Sequence, residues 1–109
     1  MKSEKEEVKS KKLLLVDDDE DFRKVSKESL EMKDFEVLEA SNGQEALSIL
    51  GIEKVDVVLS DIRMPKMHGI DLLHRVKNEF SDIPVALMTG FSDIIEVKEA
   101  YEIGARGFL

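Results

Sequence analysis

The chain has 109 residues, with 24 Asp and Glu against 16 Lys and Arg, a formal charge of −8 and no cysteine. Its length suits one domain with a single core, and its acidity argues against direct nucleic-acid or membrane binding. Disulfides are excluded, and no apolar run approaches the roughly 18 residues needed to span a bilayer. Residues 1–11 (MKSEKEEVKSK) mix both charges and lack the apolar centre of a secretory signal, so they read as a charged tail ahead of a domain over 12–109. A cytoplasmic location is the expectation.

Leu13–Val16 is a short apolar run bounded by charge, which predicts a buried central strand. From Glu20 to about Lys33, the residues Phe22, Val25, Ser29 and Leu30 recur at helical spacing, marking an amphipathic helix that Asp18 or Asp19 would cap. Phe35–Ala40 reads as a second strand, Ser41-Asn42-Gly43 as a turn, and Gln44–Leu50 as a short helix ending near Gly51. Val55–Ser60 is the third strand, residues 63–69 a loop containing Pro65, and Ile70–Phe80 a helix with Leu72, Leu73, Val76 and Phe80 on its apolar side. Ile83–Thr89 is the fourth strand, with Pro84 near its start where a ladder donor is dispensable. Asp93–Ile103 is a fourth helix carrying Ile94, Val97, Ala100 and Tyr101, and Gly107 opens a fifth strand.

This alternation predicts an α/β fold, a doubly wound parallel sheet covered on both faces. A covering helix of about 11 residues would normally follow the fifth strand. The last helix is absent here, so a C-terminally incomplete piece of a longer protein is expected, with an exposed sheet edge that invites self-association.

Asp17 and Asp18 close the first strand, and Asp61 closely follows the apolar run of the third. In open α/β sheets, ligands bind outside the carboxyl ends of the strands where the strand order reverses. If the two strands are neighbours there, the three carboxylates converge, and they cannot all stay ionised without a cation. A hard divalent ion such as Mg²⁺ takes oxygen ligands and serves phosphoryl chemistry. Acidic residues at a helix N-terminus are ordinary and account for Asp19, Glu20 and Asp21, but not for Asp61.

Four segments then carry a resemblance: Leu13-Leu-Leu-Val-Asp17-Asp18-Asp19, Asp61-Ile-Arg-Met-Pro65-Lys-Met-His-Gly69, Thr89-Gly90 and Gly104-Ala-Arg-Gly-Phe108-Leu109. Together they resemble the response-regulator receiver domain of two-component signalling, over about Lys12 to Leu109. The resemblance implies a flavodoxin-like five-stranded sheet in the order 2-1-3-4-5. It implies that Asp61 is the phospho-acceptor, taking its phosphoryl group from a sensor histidine kinase or phosphotransfer protein and resetting by hydrolysis. Mg²⁺ (or Mn²⁺) would be held by Asp18, Asp61 and the backbone carbonyl of Arg63, with Asp17 acting through a water. Thr89 would bond a phosphoryl oxygen and move with the aromatic Phe108. Gly90, Phe91 and Met64 would border the phosphoryl pocket, Phe91 shielding the acyl phosphate. The same resemblance implies a signalling protein rather than an enzyme, with an output face on the fourth helix and fifth strand (Ile94, Val97, Tyr101, Arg106). That face would serve an output domain in a longer parent, or self-association. One departure is that the family's Lys-Pro pair would fall beyond Leu109.

Two alternatives remain open at this point. Asp17-x-Asp19 also resembles the nucleophile loop of haloacid-dehalogenase-type phosphatases, although Asp21 stands where that loop carries Thr or Val. A receiver-like interaction module working without phosphate is the other. A calcium-loop reading of Asp17, Asp19, Asp21 and Glu28 fails because Phe22 occupies the required Gly position. His68 and His74 lack partners at metal spacing and read as solvated, Met64 and Met67 as loop filling, and Asp56 and Asp71 as surface or capping carboxylates.

Overall fold

The computed structural model of the chain describes residues 11–62, 64, 67–88 and 107–108. Its elements are β1 (Lys12–Val16), α1 (Glu20–Glu31), β2 (Glu36–Ala40), α2 (Gly43–Leu50), β3 (Val57–Asp61), α3 (Gly69–Glu79), β4 (Val85–Met88) and β5 (Gly107–Phe108). The predicted helix over 93–103 lies outside the described residues.

All described strands are parallel and ordered β2-β1-β3-β4-β5. That is the expected flavodoxin-like order. β1 pairs with β2 from Lys12↔Glu36 to Val16↔Ala40, and with β3 from Leu13↔Val57 to Val16↔Ser60. β3 runs on against β4 to Asp61↔Met88.

The continuous apolar run of β1 is explained by burial on both faces of the sheet. Leu14 and Val16 join Val58, Ala46, Leu50, Ile70, Leu72, Leu73 and Val76 in the larger core cluster, under α2 and α3. Leu13 and Leu15 point the other way, to Val37 and Leu59, with Leu30 of α1 packed against them. The sheet is therefore wound on both sides, and its centre cannot shift without disturbing two cores.

Several boundaries differ from the sequence reading, each for a local reason. The start of α1 is as expected, with Asp19 as its N-cap, its carboxylate accepting the Phe22 N–H at 3.0 Å. The helix stops at Glu31, and Asp34 takes a left-handed backbone (φ 71°), the kind of position Asp tolerates better than branched residues. The chain then folds back, with the Phe35 N–H on the Leu30 carbonyl at 3.2 Å. β3 begins at Val57, not Val55: Val55 is buried but outside the ladder, and the Asp56 carboxylate instead accepts the Lys12 N–H at 2.8 Å. Glu45 of α2 reaches back to the Ser41 N–H and hydroxyl, while Asn42 caps the helix by accepting the Glu45 N–H.

The amphipathic stripe of α1 is only partly buried. Leu30 packs on the core, but Phe22 and Val25 stand 53% and 61% exposed along a groove shared with Ser29, Leu59 and Met88. Among the described residues, none covers them.

Leu14→Ala is expected to cost about 3 kcal/mol of unfolding free energy, because the sheet on both sides of Leu14 prevents collapse around the cavity. Met32→Ala, at a position 85% exposed, should stay within about 0.5 kcal/mol. Urea unfolding followed by circular dichroism measures both; equal effects would contradict this packing.

Candidate functional site

The register of the three inner strands places the acidic residues. Val16 lies opposite Ser60, so the next residue on β1, Asp17, emerges beside Asp61 at the end of β3. The Asp17 N–H continues the ladder to β2 by donating to the Ala40 carbonyl at 3.1 Å. Asp17, Asp18 and Asp61 each offer a carboxylate oxygen, and these oxygens lie within 4.8 Å of one another. Asp61, more than forty positions from Asp17 and Asp18 in sequence, thus shares one mouth with them at the carboxyl edge of the sheet.

Their environments differ. Asp17 is 1% exposed, Asp61 is half-buried, and Asp18 faces solvent. One Asp17 oxygen accepts the Asp19 N–H at 2.9 Å, while Oδ2 is buried with no hydrogen-bond partner. Burial pushes the Asp17 carboxyl up from the ordinary carboxylate range; the Asp19 N–H opposes this, the charges of Asp18 and Asp19 add to it, and Arg23 opposes it. A buried carboxylate oxygen without a partner is costly, and a divalent cation held between these groups, or a water bound to it, would satisfy it. The donor set, three carboxylates, fits a hard ion.

The loop after β3 is fitted tightly to Asp61. A Cβ at Gly69 would fall 2.3 Å from the Asp61 carbonyl oxygen and 2.7 Å from Ile62 Cα, and the Gly69 N–H donates to the Ile62 carbonyl at 2.6 Å. The glycine is needed for closeness rather than for a left-handed turn. His68 is half-buried rather than freely solvated: it caps α3, its Nδ1 accepting the Ile70 N–H at 3.3 Å. Met67 lies on Gly43 at the start of α2, where an added Cβ would come within 2.6 Å of the Met67 Cβ. Met64 is buried in the larger core cluster. Arg63, Thr89, Gly90 and Phe91 lie outside the described residues, and the backbone of Phe108 pairs with Leu87 in β5.

One contributor is not apparent in the sequence. Arg23 of α1 donates from Nη1 to the Asp17 carbonyl at 2.8 Å and from Nε to Glu39 at 3.0 Å. The Arg23 hydrogen bond holds the Glu39 carboxyl below its ordinary 4.5, assisted by Lys27 at 3.3 Å.

The family model of the response regulator receiver domain matches residues 13–109. This chain belongs to that family. Receiver domains are signalling domains of two-component systems. Among its relatives is a probable transcriptional regulator, ycf27, of Cyanophora paradoxa, 34% identical over 103 residues that make up 94% of this chain and 43% of that protein. The chain thus spans less than half the length of that regulator. A response regulator receiver domain protein from Clostridium thermocellum superposes with a TM-score of 0.86 at 34% identity, covering 91% of this chain and 80% of that one. The response regulator TrrA from Thermotoga maritima, solved in complex with Mg²⁺ and BeF, superposes at 0.82 with 28% identity, over 91% of this chain and 84% of that one.

The raised pKa of Asp17 means that its charged form opposes folding at neutral pH, and that this opposition disappears as pH falls through the raised value. Glu39 acts in the opposite sense, contributing stability above its unfolded value that is lost as pH falls through its lowered one. Asp17→Asn in metal-free buffer at pH 7 should therefore melt higher than the wild type. The gap should close towards pH 4. A lower melting point for Asp17→Asn at pH 7 would contradict the strain assigned to this carboxylate.

Proposed function

We propose that this receiver accepts a phosphoryl group on Asp61 from a phosphohistidine of a sensor histidine kinase or phosphotransfer protein. The observation that carries the reading is the convergence of Asp17, Asp18 and Asp61 at the end of β1 and β3, with one Asp17 oxygen buried and unpartnered. An Asp61 carboxylate oxygen would attack phosphorus as the phosphorus–nitrogen bond to the donor imidazole breaks, giving an acyl phosphate and a histidine that takes up a proton. Water later cleaves the acyl phosphate and resets the domain.

Asp18, Asp61 and the Arg63 carbonyl would hold Mg²⁺ (or Mn²⁺), with Asp17 contributing through a water. When bound, the ion neutralises charge on the carboxylates and on the phosphoryl oxygens, the main requirement of phosphoryl transfer. The presence of Mg²⁺ and BeF in the Thermotoga maritima relative supports this choice of ion. Asp61 is kept in line by the close seating of Gly69 against its backbone, so the acceptor does not depend on a free loop for its position.

Thr89 would bond a phosphoryl oxygen and draw Phe108 with it, passing the change to the predicted fourth helix and β5. Gly90 would leave room for the phosphoryl group, with Phe91 and Met64 bordering it. The longer curated relatives include transcriptional regulators, which supports an output domain in a longer parent protein and a cytoplasmic setting for the exchange. The phosphatase alternative has no support beside the family match over 13–109.

Incubation with acetyl phosphate and Mg²⁺, followed by intact-protein mass spectrometry, should give one labile phosphoryl adduct. The adduct should vanish without Mg²⁺ or in Asp61→Asn, and Phe91→Ala should lose it several-fold faster. A folded wild type that gains no adduct would move the reading to a phosphate-independent interaction module; unchanged lifetime in Phe91→Ala would remove the shielding role.

A further inference from the structure

We infer that Arg23 is a positioning residue for the carboxylate site, fixing the turn that presents Asp17 and Asp18 and thereby setting the site's affinity for a divalent cation. The inference rests on the proposed cation-binding role of those carboxylates.

The turn from β1 into α1 is short, and its geometry is held from several sides. The Asp17 N–H is bonded to Ala40, its carboxylate to the Asp19 N–H, and its carbonyl to Arg23 Nη1 at 2.8 Å. The carbonyl bond has a particular consequence. Asp17 C=O and Asp18 N–H belong to one planar peptide unit, so pinning the oxygen restricts rotation of that plane. The direction in which the Asp18 side chain leaves the backbone follows from it. Asp18 faces solvent, so the restraint on its backbone is what aims it.

Arg23 can apply that restraint because it is itself held. Its side chain is 16% exposed and its Nε donates to Glu39 of β2 at 3.0 Å, while Lys27 holds the other Glu39 oxygen at 3.3 Å. A planar guanidinium donates in two fixed directions at once, here to a strand-end carbonyl and to a neighbouring strand's carboxylate. A lysine ammonium at the same position has the charge but not the fork.

Charge and position make opposite predictions. Arg23 is a cation near a cation site, so its charge alone would weaken metal binding, and removing it would tighten the site. If Arg23 acts by positioning, removing it loosens Asp18 and weakens binding. Residues that orient metal ligands typically change affinity about tenfold or more when lost.

The test is a Mn²⁺ titration of the full chain, read by loss of the free-ion electron paramagnetic resonance signal, with circular dichroism to verify folding. Arg23→Ala should bind Mn²⁺ about tenfold more weakly than wild type. Arg23→Lys should be weakened several-fold as well, and it carries the test if the alanine variant does not fold. Lys27→Ala, which touches Glu39 but not Asp17, should stay within about twofold. Wild-type affinity in Arg23→Lys, or equal or tighter binding in folded Arg23→Ala, overturns the inference. Asp18→Asn separates the two levels of the account. If wild type binds no Mn²⁺, or Asp18→Asn binds as wild type does, the cation reading itself fails and this inference with it.

Discussion

Repulsion among three carboxylates at one strand-end mouth is the constraint on which the rest of the structure depends. Asp17 is buried there, Asp61 half-buried and Asp18 exposed, with oxygens of all three within 4.8 Å. At such distances like charges oppose one another strongly, and burial raises the cost for Asp17 further. The Arg23 charge offsets only part of this for Asp17, whose carboxyl stays raised. One Asp17 oxygen is left buried without a hydrogen-bond partner, so the strain sits on a residue of the acidic mouth itself.

The surrounding structure holds the mouth in that arrangement. Because β1 is buried on both faces, its end cannot slide relative to β3, and the Val16↔Ser60 register keeps Asp17 beside Asp61. Gly69 brings the following loop hard against the Asp61 backbone, and Met67 braces that loop on Gly43 of α2. Arg23 ties α1 to the end of β1 and to Glu39 of β2. Three helices are thereby seated against one edge of the sheet, and each contact acts on the position of an acidic group. A chemical change at Asp61 in such a frame has few directions in which to be absorbed, which is a useful property in a signalling domain.

Much of the arrangement was legible in the residues alone. Continuous apolar runs such as Leu13–Val16 identify central parallel strands, and carboxylates at their ends identify the ligand edge. The strand order followed from the alternation and the resemblance together. What was not legible depended on contacts between distant positions. Arg23 and Glu39 are 16 residues apart, on a helix and a strand, and nothing local in either segment marks them as partners. Gly69 reads in the sequence only as the end of the loop over 63–69, whereas its role is to let two backbones approach. Val55 looked like strand because it is apolar and buried, but burial and ladder pairing part company there, with Asp56 spent on the Lys12 amide. The helical spacing of Phe22 and Val25 predicted a helix correctly without predicting its burial, since periodicity reports the shape of a segment and not what lies over it.

Whether these three carboxylates form one cation site can be read from anomalous diffraction of crystals grown with Mn²⁺. A single strong peak is expected at the mouth, at about 2.1–2.2 Å from oxygens of Asp18 and Asp61, close to the spacing expected of small oxygen-bound divalent ions, with Asp17 one water removed. A peak elsewhere on the chain, or none at the mouth with Mn²⁺ well above millimolar, would contradict it.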